Sequence, residues 1–392
     1  MDNTLDPRWQ IAIDHSHYLA NQLQTHPAMI PELAATWQQP LSEDMLLIPL
    51  KADFADDEAV KSALRRLRHR AMAHMTLRDL CGLAPLAEIM ESMTLLADVT
   101  TNFALDYYHC QLVATYGEPL DKAGLPQRLL IIGMGKLGGR ELNVSSDVDY
   151  IFVYPEEGDT NGKKSIENYD FFTRLGKRVI SALGDLTADG QVFRVDMRLR
   201  PNGDSGPLVC SLDALENYFI TQGREWERYA WIKSRVMNTG PNADGASLGD
   251  WMAALRRISR PFVFRKYLDF GAINAMRDLH AQIRREVARK DMVDHVKLGP
   301  GGIREIEFIA QVFQLIRGGR DPALQIRPTL SVLKLLVERK LLPAESESEL
   351  RQAYIFLRRL EHRLQYVEDK QTHMLPVDAA GRAVIARSMD FP

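Results

Sequence analysis

The sequence predicts an α+β fold, mostly helical, in which a small sheet lies between two helical regions. Three observations predict it. Over residues 1 to about 115, apolar residues recur at helical spacing with few breakers. From Leu129 to about Met237 the pattern becomes mixed, with short apolar runs of strand length separated by glycine-rich turns. Beyond the turn-rich stretch NTGPNADGASLG (238–249), helical spacing returns and persists. The expected organisation is a helical region at 1–116, a mixed core at 117–240 and a helical bundle at 241–392.

Each element follows from local pattern. SALRRLRHRAMAHMTLRDLCGL places Leu64, Leu67, Ala71, Met75 and Leu77 at three- and four-residue steps, with Arg65 to Arg70 expected on a solvated face. The run from Leu83 to Gly117 should be a buried helix leading into the core. GEPLDKAGLPQ (117–127) reads as a linker. LLIIGMGKLGGRELNVSSDVDYIFVY, Leu129 to Tyr154, reads as a strand, a turn with four glycines, a polar connector and a second strand. The helix YDFFTRLGKRVISALGDL turns Phe172, Leu175, Val179, Ile180 and Leu183 to one side. After the turn ADGQ, VFRVDMRLRPNGDSGPL reads as a strand broken by Pro201. Ser211 is a cap for the helix SLDALENYFITQG, and GREWERYAWIKSRVM should form an aromatic helix. In the bundle, Tyr354, Leu357, Leu360, Leu364 and Val367 share one apolar stripe.

Composition narrows the function classes. Hydrophobic residues at 45% and charged residues at 26% describe a globular protein, and a net charge of −3 argues against a general nucleic-acid binder. Cys81, Cys110 and Cys210 make neither a disulfide framework nor a zinc pattern, which fits a reducing compartment. MDNTLDPRWQ has no signal-peptide character and no apolar run reaches membrane-span length, so a cytoplasmic location and no membrane partner are expected. The ending SMDFP suggests a piece of a longer polypeptide.

Two chemistries compete for the central stretch. Gly133, Gly135 and Gly138 spell G-x-G-x-x-G after a strand, with Glu156 near the place of a ribose-binding acid. A parallel strand pair, however, needs a crossover of about a dozen residues, usually a helix. Only the polar segment Gly139 to Ser146 separates the last glycine from the second strand, so a dinucleotide fold is rejected. The alternative begins with Asp147 and Asp149, two residues apart on a strand and so facing one way. Carboxylates that close repel each other unless a cation sits between them, and such oxygen ligands suit magnesium or manganese. In RVDMRLR, the same alternation sets Asp196, Arg198 and Arg200 on one face, with Val195, Met197 and Leu199 inward. A third carboxylate flanked by guanidinium groups suits phosphoryl chemistry, where arginines take up charge developing on phosphate oxygens. Gly138 and Gly139 would let backbone N–H groups approach phosphates at the start of a short helix.

Two glycines, a D-x-D at a strand start and a third aspartate on a later strand resemble the polymerase-β-like nucleotidyltransferase superfamily, whose core is a small mixed sheet with helices. GMGKLGGRELNVSSDVDYIF, RVDMRLRPNGDSGPL, GREWERYAWIKSRVM, RPFVFRKYLDF and KLGPGGIREIEFIAQVFQLIRGGR are similar, more closely, to the glutamine synthetase adenylyltransferase/adenylyl-removing enzyme family, from roughly Arg65 onward. Within that family, Asn143, Met197 and Gly206-Pro207 resemble the N-terminal, adenylyl-removing half. Tyr150 departs from the leucine common after the second aspartate and should point away from the metal face.

The resemblance implies phosphorolysis of an adenylyl group on a tyrosine of adenylylated glutamine synthetase, with inorganic phosphate consumed and ADP released. It implies a nucleotidyltransferase core at 117–240 with two Mg²⁺ ions, or Mn²⁺, on Asp147, Asp149 and Asp196. Arg198 and Arg200 are candidates for gripping the attacking phosphate, and Gly138, Gly139, Ser146 and Lys136 for the nucleotide phosphates. Arg304, Glu305 and Glu307, at the head of an apolar helix, are candidates for lining the cleft. The uridylylated PII signal protein is the activator the family implies. Adenylylation from ATP, or a catalytically silent regulatory module, are the alternative functions. The basic run from Arg256 to Lys290 suits either an acidic protein surface or a solvated bundle face.

Overall fold

The computed structural model describes residues 6–238, 245–266 and 294–391. Short helices α1 (Trp9–His15), α2 (His17–Thr25), α3 (Ile30–Thr36) and α4 (Glu43–Leu47) precede two long ones, α5 (Asp57–Leu80) and α6 (Leu86–Tyr116). The mixed region holds β1 (Leu130–Gly133), the one-turn α7 (Gly135–Gly138), β2 (Val148–Tyr154), α8 (Asn168–Gly184), β3 (Val195–Asp196), β4 (Val209–Ser211), α9 (Leu212–Thr221), α10 (Glu225–Trp231) and β5 (Arg235–Val236). Then come α11 (Gly245–Val263), α12 (Ile303–Arg317), α13 (Thr329–Glu338), α14 (Ala344–Tyr366) and α15 (Ala379–Ser388). This is an α+β, mostly helical fold with a small mixed sheet, as the sequence predicts.

In the sheet, β1 runs antiparallel to β2 and β5, while β2 runs parallel to β3 and β4. The antiparallel β1–β2 pair removes any need for a crossover helix, so the dinucleotide topology is absent here. Both faces are buried. Ile131, Tyr150, Phe152 and Tyr154 enter a core with α5, α6 and α8, while Leu130, Ile132, Ile151 and Val153 enter a second with Leu215, Phe219, Trp231 and Phe262. Period-two alternation with apolar residues on both sides is what makes LLII and YIFVY read as continuous apolar runs. A third cluster joins Ile303 and Ile306 of α12 to Leu333, Leu336, Tyr354 and Leu364. A fourth packs Trp9, Leu19, Leu33 and Trp37 on Ala73 and Leu77.

The first helices also reach the bundle. Ser16 donates its hydroxyl to Tyr366 O at 2.6 Å, and Tyr18 N–H donates to Val367 O at 3.1 Å. Asp79 of α5 pairs with Arg363 at 2.8 Å and accepts from the Tyr366 hydroxyl at 2.9 Å.

Several local expectations are corrected. The basic stretch of α5 is not a solvated face. Arg65 is fully buried and donates to Gly190 O, Lys61 O and Ala182 O at 2.9–3.0 Å, while buried Arg68 pairs with Asp369 at 2.7 Å. Carbonyls and a carboxylate brought from distant segments satisfy these guanidinium groups, which hydropathy alone does not reveal. GREWERYAWIKSRVM is helical only to Trp231; Arg235 and Val236 pair with Gly133 and Ile132 as an edge strand. VFRVDMRLRPNGDSGPL is paired only at Val195 and Asp196 before the chain turns. The 240/241 boundary and part of the 238–249 linker lie outside the described residues, as do parts of RPFVFRKYLDF and of the Arg256–Lys290 run.

The fold carries an acid-sensitive element. His362 is fully buried, both ring nitrogens lack hydrogen-bond partners, and burial together with nearby Arg358 pushes its pKa down to about 3. The unfolded chain, with a histidine near 6.5, therefore binds the proton first. Stability from this residue is present above pH 6.5 and is lost as pH falls toward 3. Between pH 7.5 and 5.5 the expected loss from His362 is about 1.4 kcal/mol. Unfolding free energies from urea titrations at the two pH values should converge by that amount in His362→Phe; an unchanged pH dependence in the variant would contradict the assignment.

Candidate active site

Strand register builds the site. β2 and β3 are parallel, with Val148 opposite Val195 and Asp149 opposite Asp196, so two carboxylates meet on adjacent strands. Asp147 precedes β2, and its carboxylate accepts from Arg194 Nε at 2.5 Å. Asp196 is held by Arg198, whose Nε lies 2.9 Å and 3.0 Å from its two oxygens. All three aspartates line one cavity of about 570 Å³, together with Gly135, Lys136, Ser146, Arg198, Lys233, Lys297, Arg304 and Glu307.

The carboxylates sense one another. Burial first, then the charges of Asp196 and Asp147, push Asp149 up to about 7. The Arg198 hydrogen bond, by contrast, draws Asp196 below the usual carboxylate range. Among the described residues no group of three or more His, Cys, Asp or Glu side chains forms a metal-holding cluster, with Asp147 and Asp196 each engaged by a guanidinium. The donor set nevertheless fits a hard divalent cation: three carboxylates share a cavity, and burial with two acidic neighbours raises the middle one, a conflict that a cation among them relieves.

The glycine turn does something other than expected. The short helix starts at Gly135, before the Gly138-Gly139 pair, and the N–H groups of Gly138 and Gly139 donate to Met134 O and Gly135 O at 3.1 and 2.9 Å. Those donors are spent within the turn, and neither glycine lines the cavity. Gly138 is needed for packing, because a Cβ there would lie 1.9 Å from Lys233 O. It is Gly135, with φ near +56°, that lies beside the Asp149 carboxylate.

Arg200 also sits elsewhere. The chain leaves the extended form after Asp196, and Arg200 folds back to donate to Met197 O at 2.8 Å, away from the cavity. Glu305 accepts from Gly301 N–H at 3.0 Å and is likewise outside the cavity. Ser146, Arg304 and Glu307 line it. Tyr150 points into the opposite core, with its hydroxyl 2.7 Å from that of Thr101.

Lys136 is largely buried and pairs with Glu307 at 2.9 Å. Beneath it, Lys233 contacts Glu141 at 2.5 Å and Glu307 at 3.7 Å. Burial pushes Glu307 up, but Lys136 and Lys233 outweigh it and hold this carboxyl well below the usual range. Glu141 accepts from Thr329 N–H at 2.6 Å, and buried Arg358 donates to Glu141 O at 2.7 Å and to Asn143 Oδ1. The connector thus alternates: Leu142 and Val144 face the sheet core while Glu141, Asn143 and Ser145 bond the bundle. Its polarity comes from this second surface.

Local pattern does not signal Gly135, Arg194, Lys233 or Lys297 as site residues. Lys233 and Lys297 do lie inside the GREWERYAWIKSRVM and KLGPGGIREIEF motifs.

A family model described as glutamate-ammonia ligase adenylyltransferase matches residues 10–249, and one described as GlnD PII-uridylyltransferase matches residues 277–392. The bifunctional glutamine synthetase adenylyltransferase/adenylyl-removing enzyme of Aromatoleum aromaticum is 59% identical over 96% of this chain. Its namesakes in Nitrosomonas europaea and Neisseria meningitidis are 54% and 47% identical over 97% and 98%. The chain spans only 39–42% of the length of these three relatives.

Proposed function

Because the chain belongs to the glutamate-ammonia ligase adenylyltransferase family, we propose that it removes adenylyl groups from glutamine synthetase by phosphorolysis. The observation that carries a nucleotidyl-transfer reading is the β2–β3 register, which gathers Asp149 and Asp196 into a cavity already holding Asp147. The direction rests on Asn143, Met197 and Gly206-Pro207, which resemble the adenylyl-removing half. Asn143 also accepts a hydrogen bond from Arg358.

In this reading an oxygen of inorganic phosphate attacks the α-phosphorus of the adenylyl-tyrosine. The bond from phosphorus to the tyrosine oxygen breaks, giving ADP and free tyrosine. Asp147, Asp149 and Asp196 would hold magnesium or manganese, which supplies neutralisation of the transferring group and stabilises the departing oxygen. The remaining work falls to the chain. Arg194 and Arg198 hold the Asp147 and Asp196 carboxylates in place before the substrates arrive. Arg198, with 72% of its side chain exposed, is free to exchange its carboxylate for a phosphate oxygen. Lys136, anchored by Glu307, presents fixed positive charge to the nucleotide phosphates. A phenol of pKa about 10 leaves without a dedicated general acid.

The partners in this proposal are adenylylated glutamine synthetase, phosphate and ADP, with the uridylylated PII protein as activator. A cytoplasmic setting belongs to the proposal as well; among the described residues no helix is long and apolar enough to cross a membrane.

The test is ADP release from adenylylated glutamine synthetase by this chain with magnesium and phosphate. ADP should appear only when phosphate is present. Incorporation of label from ATP into unmodified glutamine synthetase, without phosphate-dependent ADP release, would assign the opposite direction.

A further inference from the structure

The cations around the cavity divide into two sets. Arg194 is held by Asp147, Arg198 by Asp196, Lys136 by Glu307 and Lys233 by Glu141. Lys297 and Arg304 also line the cavity, and neither has a carboxylate partner among the described residues. They come from the bundle side, where the turn before α12 binds them together: Arg304 N–H donates to Lys297 O at 3.0 Å, and Ile303 N–H to Val296 O at 3.1 Å. The turn closes this tightly only on glycine. A Cβ on Gly302 would lie 2.8–2.9 Å from the carbonyls of Val296, Lys297 and Gly299, and Gly301 has φ near +72°.

The backbone contact brings both residues to one stretch of the cavity lining, and two like charges entering one cavity are best accommodated when an anion is shared between them. The three aspartates line the same cavity from the β2 and β3 side. A ligand that fits this cavity carries oxyanions toward Lys297 and Arg304. We propose that Lys297 and Arg304 form an oxyanion subsite for a phosphoryl group. It would receive either free inorganic phosphate or the terminal phosphate of a nucleoside diphosphate. The subsite rests on the nucleotidyl-transfer reading above and adds that residues beside α12 also contact the phosphate, so the active site draws on both parts of the chain.

The test is direct binding, without turnover. Inorganic phosphate, ADP and AMP are titrated calorimetrically, with magnesium, into the wild-type chain, K297M, R304M and K297R. Each methionine variant should weaken ADP or phosphate at least tenfold and leave AMP within twofold, since AMP lacks the terminal phosphate. K297R should retain most of the affinity. Weakened phosphate with unchanged ADP identifies free phosphate as the occupant, and the reverse identifies the nucleotide. Unchanged affinities, or equal weakening for all three ligands, overturn the subsite. Melting temperatures matching wild type establish that the variants are folded. Should wild type bind ADP yet release none from adenylylated glutamine synthetase, the proposed reaction fails while the subsite remains measurable.

Discussion

Replacing Asp147 and Asp149 together with asparagine is expected to lower phosphate-dependent ADP release by about 10³-fold, some 4 kcal/mol of transition-state stabilisation. Asparagine keeps the shape and one acceptor oxygen of each side chain but removes the negative charge that a divalent cation requires. The fold should not suffer. Asp149 sits with its carboxyl raised to about 7 by burial and by its two acidic neighbours, so the native state gains nothing from its charge. The melting temperature of the double variant, measured beside the ADP assay, is therefore expected to stay close to that of wild type, since the Asp147–Arg194 pair it also removes is partly exposed. Near-normal turnover in a folded double variant would remove the metal assignment. Lost turnover with a lowered melting temperature would place these aspartates in the structural frame instead.

Glu141→Leu is expected to produce the largest stability loss, about 3–5 kcal/mol, because it leaves the buried Lys233 ammonium without its nearest carboxylate. Thr329 N–H, at the head of α13, loses its acceptor in the same change. Adding Lys233→Met should restore part of the loss, since removing both members of a buried pair is far less costly than removing one. Recovery should be incomplete because Lys233 also faces Glu307. Urea midpoints of wild type, the single variants and the double variant decide the matter. A single variant as stable as wild type would show that Glu141 is not the partner that matters.

How much was legible in the sequence follows from which interactions are local. LLII and YIFVY are readable as strands because alternation is written into neighbouring residues, and the short link between them excludes a crossover helix. The aspartates are readable as a group because strand geometry fixes which side two-apart residues face. Pairing is another matter. Nothing near Arg235 announces an edge strand on β1, and the Glu, Arg, Ala and Lys residues before it favour a helix until tertiary contacts intervene. Arg200 looked equivalent to Arg198 while the strand was assumed to continue, yet β3 ends at Asp196. Gly138 resembled a phosphate loop because its real reason, the Lys233 carbonyl pressed against it, comes from nearly a hundred residues away in sequence. Lys136 gave no sign of its pairing with Glu307 for the same reason. Charged side chains whose partners are distant in sequence are the group that periodicity reads worst. Arg65, fully buried within a stretch that looks solvated, is the clearest case.

The docking of the first helices on the end of α14 has a consequence for motion. Ser16 and Tyr18 fasten to Tyr366 and Val367, and Asp79 fastens to Arg363. The connector beside the aspartates bonds the same helix, through Asn143 to Arg358 and through Ser145 to Gln365. The segment carrying the aspartates and the N-terminal helices are therefore both tied to one helix, α14, at separate points along it. A displacement of α14 would thus be felt by the N-terminal helices and by the connector beside the aspartates together.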